Sequence, residues 1–232
     1  MGKIILFLIS IFSYTILSGQ VVFEILNNSC DTNYTGTINY GYAGNLDGSS
    51  PDWNCPNMYI AANAVQGCLV MVNDEGTLGI IDSYGNPSIN DACNSPFSQD
   101  LTGKIAVCYR GQCEFSLKAY NAQQRGAIGV IIINHSGNAI EMTGGSYGAS
   151  VNIPVIMIGE NDGNDLALCL DTICTGIEGF IGTLVGQNAN DMMTTDADGI
   201  WAESYGIPDF MTTASSNFSL DFGFNMFNIG TN

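Results

Sequence analysis

The sequence predicts an α/β (α+β) fold with a parallel strand–helix–strand unit at the centre of its sheet. Three observations predict it. KIAVCYR, starting at Lys104, is a mostly apolar run of strand length. The segment from Phe115 to Gln124 repeats its apolar residues at helical spacing. AIGVIIIN, starting at Ala127, is a continuous apolar run of the kind found in strands buried on both faces. Joined in this order, the three make a βαβ unit with a right-handed crossover.

Taken from the start, MGKIILFLISIFSYTILSGQ has one cation at Lys3, an apolar stretch from Ile4 to Ile11 and small residues at Ser18 and Gly19. Residues 1–19 therefore read as an export signal, so the mature protein is expected outside the cell. The apolar stretch falls short of the ~20 residues a spanning helix needs, so no membrane attachment is expected after cleavage. Residues 20–66 are rich in Asn, Gly, Tyr and Ser. VVFEIL is a strand by its β-branched content, and Gly48–Pro51 is turn chemistry; the rest reads as a disulfide-stapled loop region.

Residues 67–174 hold the predicted core. CLVMV (68–72) and LGII (78–81) read as short strands around a turn at Asn73–Gly76, followed by a long loop with two prolines. In the helix, Phe115, Ala119 and Ala122 share one face, with Lys118, Gln123 and Arg125 placed elsewhere; Gly126 is its stop. IPVIMIG, with Pro154 near its start, is another buried strand, and Asp165–Leu170 a short helix. From Thr175 the character changes. No Lys or Arg follows Arg125, and Phe218, Leu220, Phe222 and Phe224 alternate with polar or small residues. Residues 175–232 read as a β-rich tail, the beginning of a truncated second domain.

Five Lys and Arg stand against 22 Asp and Glu, a formal charge of −17. Such a chain repels phosphate backbones and anionic lipid, which excludes nucleic acid as a partner. Four of the five cations, Lys104, Arg110, Lys118 and Arg125, lie within one short segment. The eight cysteines form an even set in an exported chain and point to disulfides. Zinc ligation would want tighter spacing and more than the single His135. Cys169 and Cys174 are close enough in sequence for a local closure.

Catalytic templates fail. Gly144–Gly148 reads G-x-S-x-G, but the flanks are not strand and helix, and no His follows. One His cannot build a zinc peptidase site. Asp162–Asp165 and Asp196–Gly199 are calcium-like fragments, the sole hint of a cofactor; neither completes a loop with a Glu, and solvated turns are expected. Asn27, Asn33, Asn134 and Asn217 begin N-x-S/T sequons.

The central residues resemble the protease-associated (PA) domain family. The resemblance rests on Gly103-Lys104-Ile105, Arg110-Gly111, Cys113-Glu114-Phe115, Lys118, Asn121-Ala122-Gln123, Gly126-Ala127 and the apolar strand Val130–Asn134. Asp91-Ala92-Cys93 and Asp100-Leu101 resemble the family's lead-in, and Ile153-Pro154-Val155 with Gly159–Gly163 its closing strand and the turn into its last helix. The resemblance implies an open, partly barrel-like sheet flanked by short helices, and a Cys93–Cys113 bridge. It implies a non-catalytic module that binds peptides or proteins, or gates access to a peptidase site. Arg110 and Lys118 are the candidate binding residues, for a peptide carboxylate or acidic side chain; a local structural role is the favoured reading of both, since fold signatures encode packing. The alternative is the accessory region of a larger secreted peptidase, subtilisin-like or zinc-dependent.

Overall fold

The computed structural model describes residues 21–27, 30, 35–76 and 80–185, with short backbone stretches at 192–193, 201–202, 222–223 and 227–228. The expected export signal lies outside these residues, as do Asn33, Asn217 and Asp196–Gly199.

Eight strands form one mixed sheet: β1 (Val21–Asn27), β2 (Gly36–Thr37), β3 (Tyr40–Tyr42), β4 (Val65–Met71), β5 (Ile105–Tyr109), β6 (Gly129–Ile133), β7 (Val155–Ile158) and β8 (Glu178–Thr183). Two helices flank it, α1 (Phe115–Gln124) and α2 (Glu160–Ala167). The spatial order is β2-β1-β8-β4-β5-β6-β7-β3. The central four, β4, β5, β6 and β7, run parallel. The outer strands β8, β1, β2 and β3 pair antiparallel.

The sheet is curled. β2 and β3 end the pairing order on opposite sides, yet only residues 38 and 39 separate them in the chain. A link that short spans on the order of 10 Å, so the two ends must approach each other. Tyr40 Oη on β3 donates to the Val21 carbonyl of β1 at 2.8 Å, across the seam.

Period-two alternation sorts the apolar runs into two cores. Val70, Ala106, Cys108, Val130, Ile132, Val155 and Met157 face a cluster that contains Trp53 and the α1 alanines Ala119 and Ala122. Leu69, Ile105, Val107, Ile131, Ile133, Ile156 and Ile158 face the other cluster, with Phe23, Met58 and Leu166 of α2. This is why AIGVIIIN shows no polar alternation: both faces of β6 are covered, and all five of its residues are buried. Each such aliphatic side chain contributes about 1.5–3 kcal/mol on burial.

Several expectations are corrected. The sheet does not stop at residue 174: β8 sits between β1 and β4 as an interior strand. The second helix begins at Glu160, not Asp165, and ends at Ala167, with Leu168 largely exposed. Gly163, read as a turn residue, lies inside α2, where a Cβ would stand 2.2 Å from Ile133 Cγ2 of β6 and only glycine lets the helix pack this close. LGII does not form a sheet strand in its described part: Ile80 and Ile81 are exposed, and Ile81 makes an isolated bridge to Pro87. Of the expected tail strand, Phe222–Gly223 pairs with Trp201–Ala202; the rest lies outside the described residues apart from Phe227–Asn228, which pairs with Met192–Met193.

The cysteines pair as Cys93–Cys113, Cys30–Cys169 and Cys68–Cys174. The expected local closure Cys169–Cys174 does not form. Met71 N–H donates to the Asp171 carbonyl and Leu69 N–H to that of Ile177, so the chain after α2 is laid along β4 and delivers Cys174 to Cys68. Cys55 and Cys108 remain free thiols, both buried, and burial pushes each up to about 12. Disulfide pairing from an even count therefore holds for six cysteines; the other two serve as small core residues.

Candidate functional site

Parallel strands β5 and β6 end side by side, and the residues that follow them meet. Tyr109 pairs with Ile133, so Arg110 and Asn134 emerge as neighbours. Arg110 Nη1 donates to Asn134 Oδ1 at 2.9 Å. The guanidinium lies 5.5 Å above the centroid of Phe115, the first residue of α1. Neither an amide nor a ring neutralises its charge.

Asn134 is almost fully buried and holds this corner. Its Oδ1 also accepts from His135 N–H at 2.9 Å, and its Nδ2 donates to the carbonyls of Ser136 and Asn138 at 2.8 and 2.6 Å. A side chain so engaged is not an acceptor for a glycan in the folded protein, although it begins a sequon. His135 is stacked on Tyr84, with ring centroids 3.6 Å apart and planes 7° from parallel. Tyr84 is carried there by an Asx turn: Asp82 Oδ1 accepts from the N–H groups of Tyr84 and Asn86 at 2.8 and 2.9 Å. Asp82 Oδ2, Asn86 Nδ2 and His135 Nδ1 are buried without a hydrogen-bond partner, so the corner has polar capacity to spare.

Lys118, the other candidate, is not at this surface. It is fully buried, and Nζ donates to the Asp91 carbonyl at 2.5 Å and to Cys93 Sγ at 3.2 Å. Desolvation lowers its pKa, opposed by the neighbouring Cys108 thiol and the carboxyl groups of Asp91, Asp74 and Asp82. The expectation that Lys118 lies off the buried helical face is thus corrected: it reaches inward to tie α1 to the loop before Phe97. Asn121 does the same, donating to the Ala92 carbonyl at 2.9 Å. Beside this tie, Asp74 and Asp91 are both buried. Burial raises Asp91 to about 6, with Cys93 N–H and Lys118 pulling it down and Asp74 pushing it up.

The G-x-S-x-G stretch is a packing feature. A Cβ at Gly144 or Gly148 would stand 1.9 or 2.1 Å from the Asp52 carbonyl oxygen, so both glycines admit the chain at Asp52. Ser146 Oγ donates to Glu114 Oε1 at 3.2 Å, and the stretch is turn and short 3-10 helix, not a strand-to-helix elbow. Asp162–Asp165 lies inside α2 rather than on a loop. Among the described residues, no group of three or more His, Cys, Asp or Glu side chains is arranged to hold a metal, and no helix is long and apolar enough to cross a membrane.

A concavity of about 580 Å³ lies beside edge strand β3, lined by Tyr42, Leu46, Tyr59 and Ile140 with Asp47 and Glu141. The charged residues that line it, Asp47 and Glu141, are both acidic.

The PA domain model matches residues 19–166. The chain belongs to the PA domain family. Curated relatives include signal peptide peptidase-like 4 of Oryza sativa subsp. japonica, 36% identical over 78 residues, and aminopeptidase YwaD of Bacillus subtilis (strain 168), 41% identical over 70 residues. These matches cover 33% and 30% of this chain but only 14% and 15% of the relatives. The minor extracellular protease Vpr of Bacillus subtilis (strain 168) is 38% identical over 72 residues, 31% of this chain and 8% of the relative. Among solved structures, an aminopeptidase from Aneurinibacillus sp. strain AM-1 aligns over 71% of this chain and 30% of its own, at 21% identity and a TM-score of 0.45. The PA region here is thus similar to a minor part of larger peptidases.

Of the residues named from sequence, Arg110 sits at the corner, and Lys118 is buried against the Cys93–Cys113 bridge. Asn134, His135, Tyr84 and Asp82 were not singled out as binding residues. The one available signal was the Asp82–Asn86 turn sequence, with a polar pair directly after the strand of β6.

Proposed function

We propose that this chain is a non-catalytic, exported recognition module of PA type, which holds a peptide or protein segment at the corner formed by Arg110, Tyr84, His135 and Phe115. The observation that carries the reading is Arg110: a half-buried guanidinium, positioned by Asn134 and Phe115 and without an ion pair among the described residues, in a chain of net charge −17. A terminal carboxylate or acidic side chain is the group that such a donor fork takes. The exposed face of Tyr84 offers apolar contact next to it. Three disulfides support folding in an oxidising compartment.

The test is to incubate the purified chain with a mixed peptide library and recover what it retains. Peptides held intact, and enriched in acidic residues or free carboxyl ends, are the expected result. Peptides cut by the chain itself, with cutting lost on Ser146→Ala or His135→Ala, would overturn the non-catalytic reading. A second reading, the accessory region of a larger secreted peptidase, is favoured by the peptidases among the relatives. Reading the coding region past Asn232 decides it: a zinc or serine peptidase signature supports that reading, and a stop codon defeats it.

A further inference from the structure

The contact between Lys118 and the Cys93–Cys113 bridge has no part in the recognition reading. A fully buried lysine is costly unless its charge is met. Here one Nζ hydrogen goes to the Asp91 carbonyl and another points at Cys93 Sγ from 3.2 Å. A cation at that distance stabilises sulfur as a thiolate far more than as half of a disulfide. Of the three bridges, this one places a lysine ammonium at hydrogen-bond distance from a sulfur. Cys68 is on β4 and Cys174 beside it, and Cys30 joins Cys169 after α2.

The backbone on both sides of the bridge adds an independent observation. Ala92, directly before Cys93, has φ 58°, and Gln112, directly before Cys113, has φ 61°. Both are left-handed, a strained conformation that side chains with a Cβ keep only where the surroundings enforce it. Opening the bridge removes a constraint next to each of them. Cys93 and Cys113 are both half-buried, within reach of a small reagent.

The geometry points to Cys93–Cys113 as a thiol-exchange site, a position of reversible modification by small monothiols of the glutathione class, with Cys93 as leaving group. The thiolate of the monothiol attacks Cys113 Sγ and forms a new S–S bond there. The Cys113–Cys93 bond breaks, and its electron pair stays on Cys93 Sγ, held by the Lys118 N–H. A second monothiol thiolate then attacks the external sulfur of the mixed disulfide. It leaves as the oxidised dimer of the monothiol, and Cys113 is released as a thiolate. Two electrons pass from two thiols to one protein disulfide.

The test uses the whole folded chain in reduced glutathione, with acid quenching, alkylation after denaturation and peptide mass mapping. Cys55 and Cys108 are free from the outset and serve as the internal reference. Cys93–Cys113 is expected to open at least tenfold faster than Cys30–Cys169 and Cys68–Cys174, with the early glutathione adduct on Cys113. Lys118→Met is expected to slow that opening about tenfold while leaving the other two bridges unchanged. Equal opening of all three bridges in the unaltered chain, an adduct found on Cys93, or Lys118→Met opening this bridge as fast as before would each overturn the proposal. If Lys118→Met unfolds the domain, seen as uniform opening of all bridges, the order of opening and the adduct position in the unaltered chain decide alone.

Discussion

At the scale of single residues, Lys118 shows how a charged side chain becomes part of a core. Its stem occupies the space an apolar residue would take, and its Nζ satisfies the Asp91 carbonyl, which has lost contact with water. Lys118→Met keeps the volume but orphans that carbonyl. Urea unfolding should show a loss of about 1–3 kcal/mol, while an unchanged midpoint would mean the lysine is not buried as described. Asp91 gives a pH signature. Its folded pKa is raised from an ordinary 3.8 to about 6, chiefly by burial. The folded state therefore binds this proton more tightly than the unfolded chain does. The stabilising contribution is complete below 3.8 and is lost as pH rises through about 6. Between pH 4 and 7 the unaltered chain should lose about 1–2 kcal/mol of stability relative to Asp91→Asn once solvent screening is allowed for; the comparison cancels the opposite contribution of Asp47, Asp52, Glu75 and Asp100, which hydrogen bonds hold below the usual carboxylate range. A constant difference between the two proteins over that window would contradict the assignment. Both residues belong to stretches that resemble the family signature, yet a sequence pattern shows only that a lysine is placed on a helix. Whether it points outward or reaches in depends on the loop bearing Asp91, which is distant in sequence and irregular.

At the scale of elements, the sequence was most readable where period and burial agree. β5, α1 and β6 lie where the apolar runs and Gly126 place them, because each run is long, unbroken and ended by a residue that cannot continue it. It was least readable where tertiary contact overrides local chemistry. Asp162-Gly163-Asn164 has turn composition, yet it is helical because α2 must press against β6, and only glycine allows that approach. Gly163→Ala raises helix propensity but inserts a methyl group into Ile133. The net effect should be a loss of about 1–3 kcal/mol by thermal or chemical unfolding. A gain would show that the helix can lift off the sheet at little cost. β8 was missed for a related reason. Its strand EGFIGT follows the last residues of the recognised core, and only pairing with β1 and β4 reveals it as interior. The corner at Arg110 was half legible: the cation stood out against an acidic chain, whereas the Tyr84–His135 stack depends on a turn whose destination no local pattern gives.

At the scale of the molecule, a curled sheet with both faces covered is cross-linked from outside. Cys30–Cys169 and Cys68–Cys174 span 139 and 106 residues of sequence, joining the segment after β1 to the residues that follow α2, and β4 to the approach of β8. By the chain-entropy account, a bridge closing so long a loop contributes about 4–5 kcal/mol. Peptide mapping without reductant should find these two bridges, Cys93–Cys113 and free thiols at Cys55 and Cys108; a Cys169–Cys174 peptide would contradict the fold near α2. The same scale sets the electrostatics. On the proposed reading, the guanidinium at the end of the parallel strands is where a protein of charge −17 would hold an anionic group. The most direct test of the account is calorimetric titration of a retained peptide with a free carboxyl group, against the unaltered chain and against Arg110→Ala. The account predicts a loss of at least tenfold in affinity for Arg110→Ala, matched by the same loss when the peptide carboxyl is amidated. Equal affinity in all these cases would contradict it.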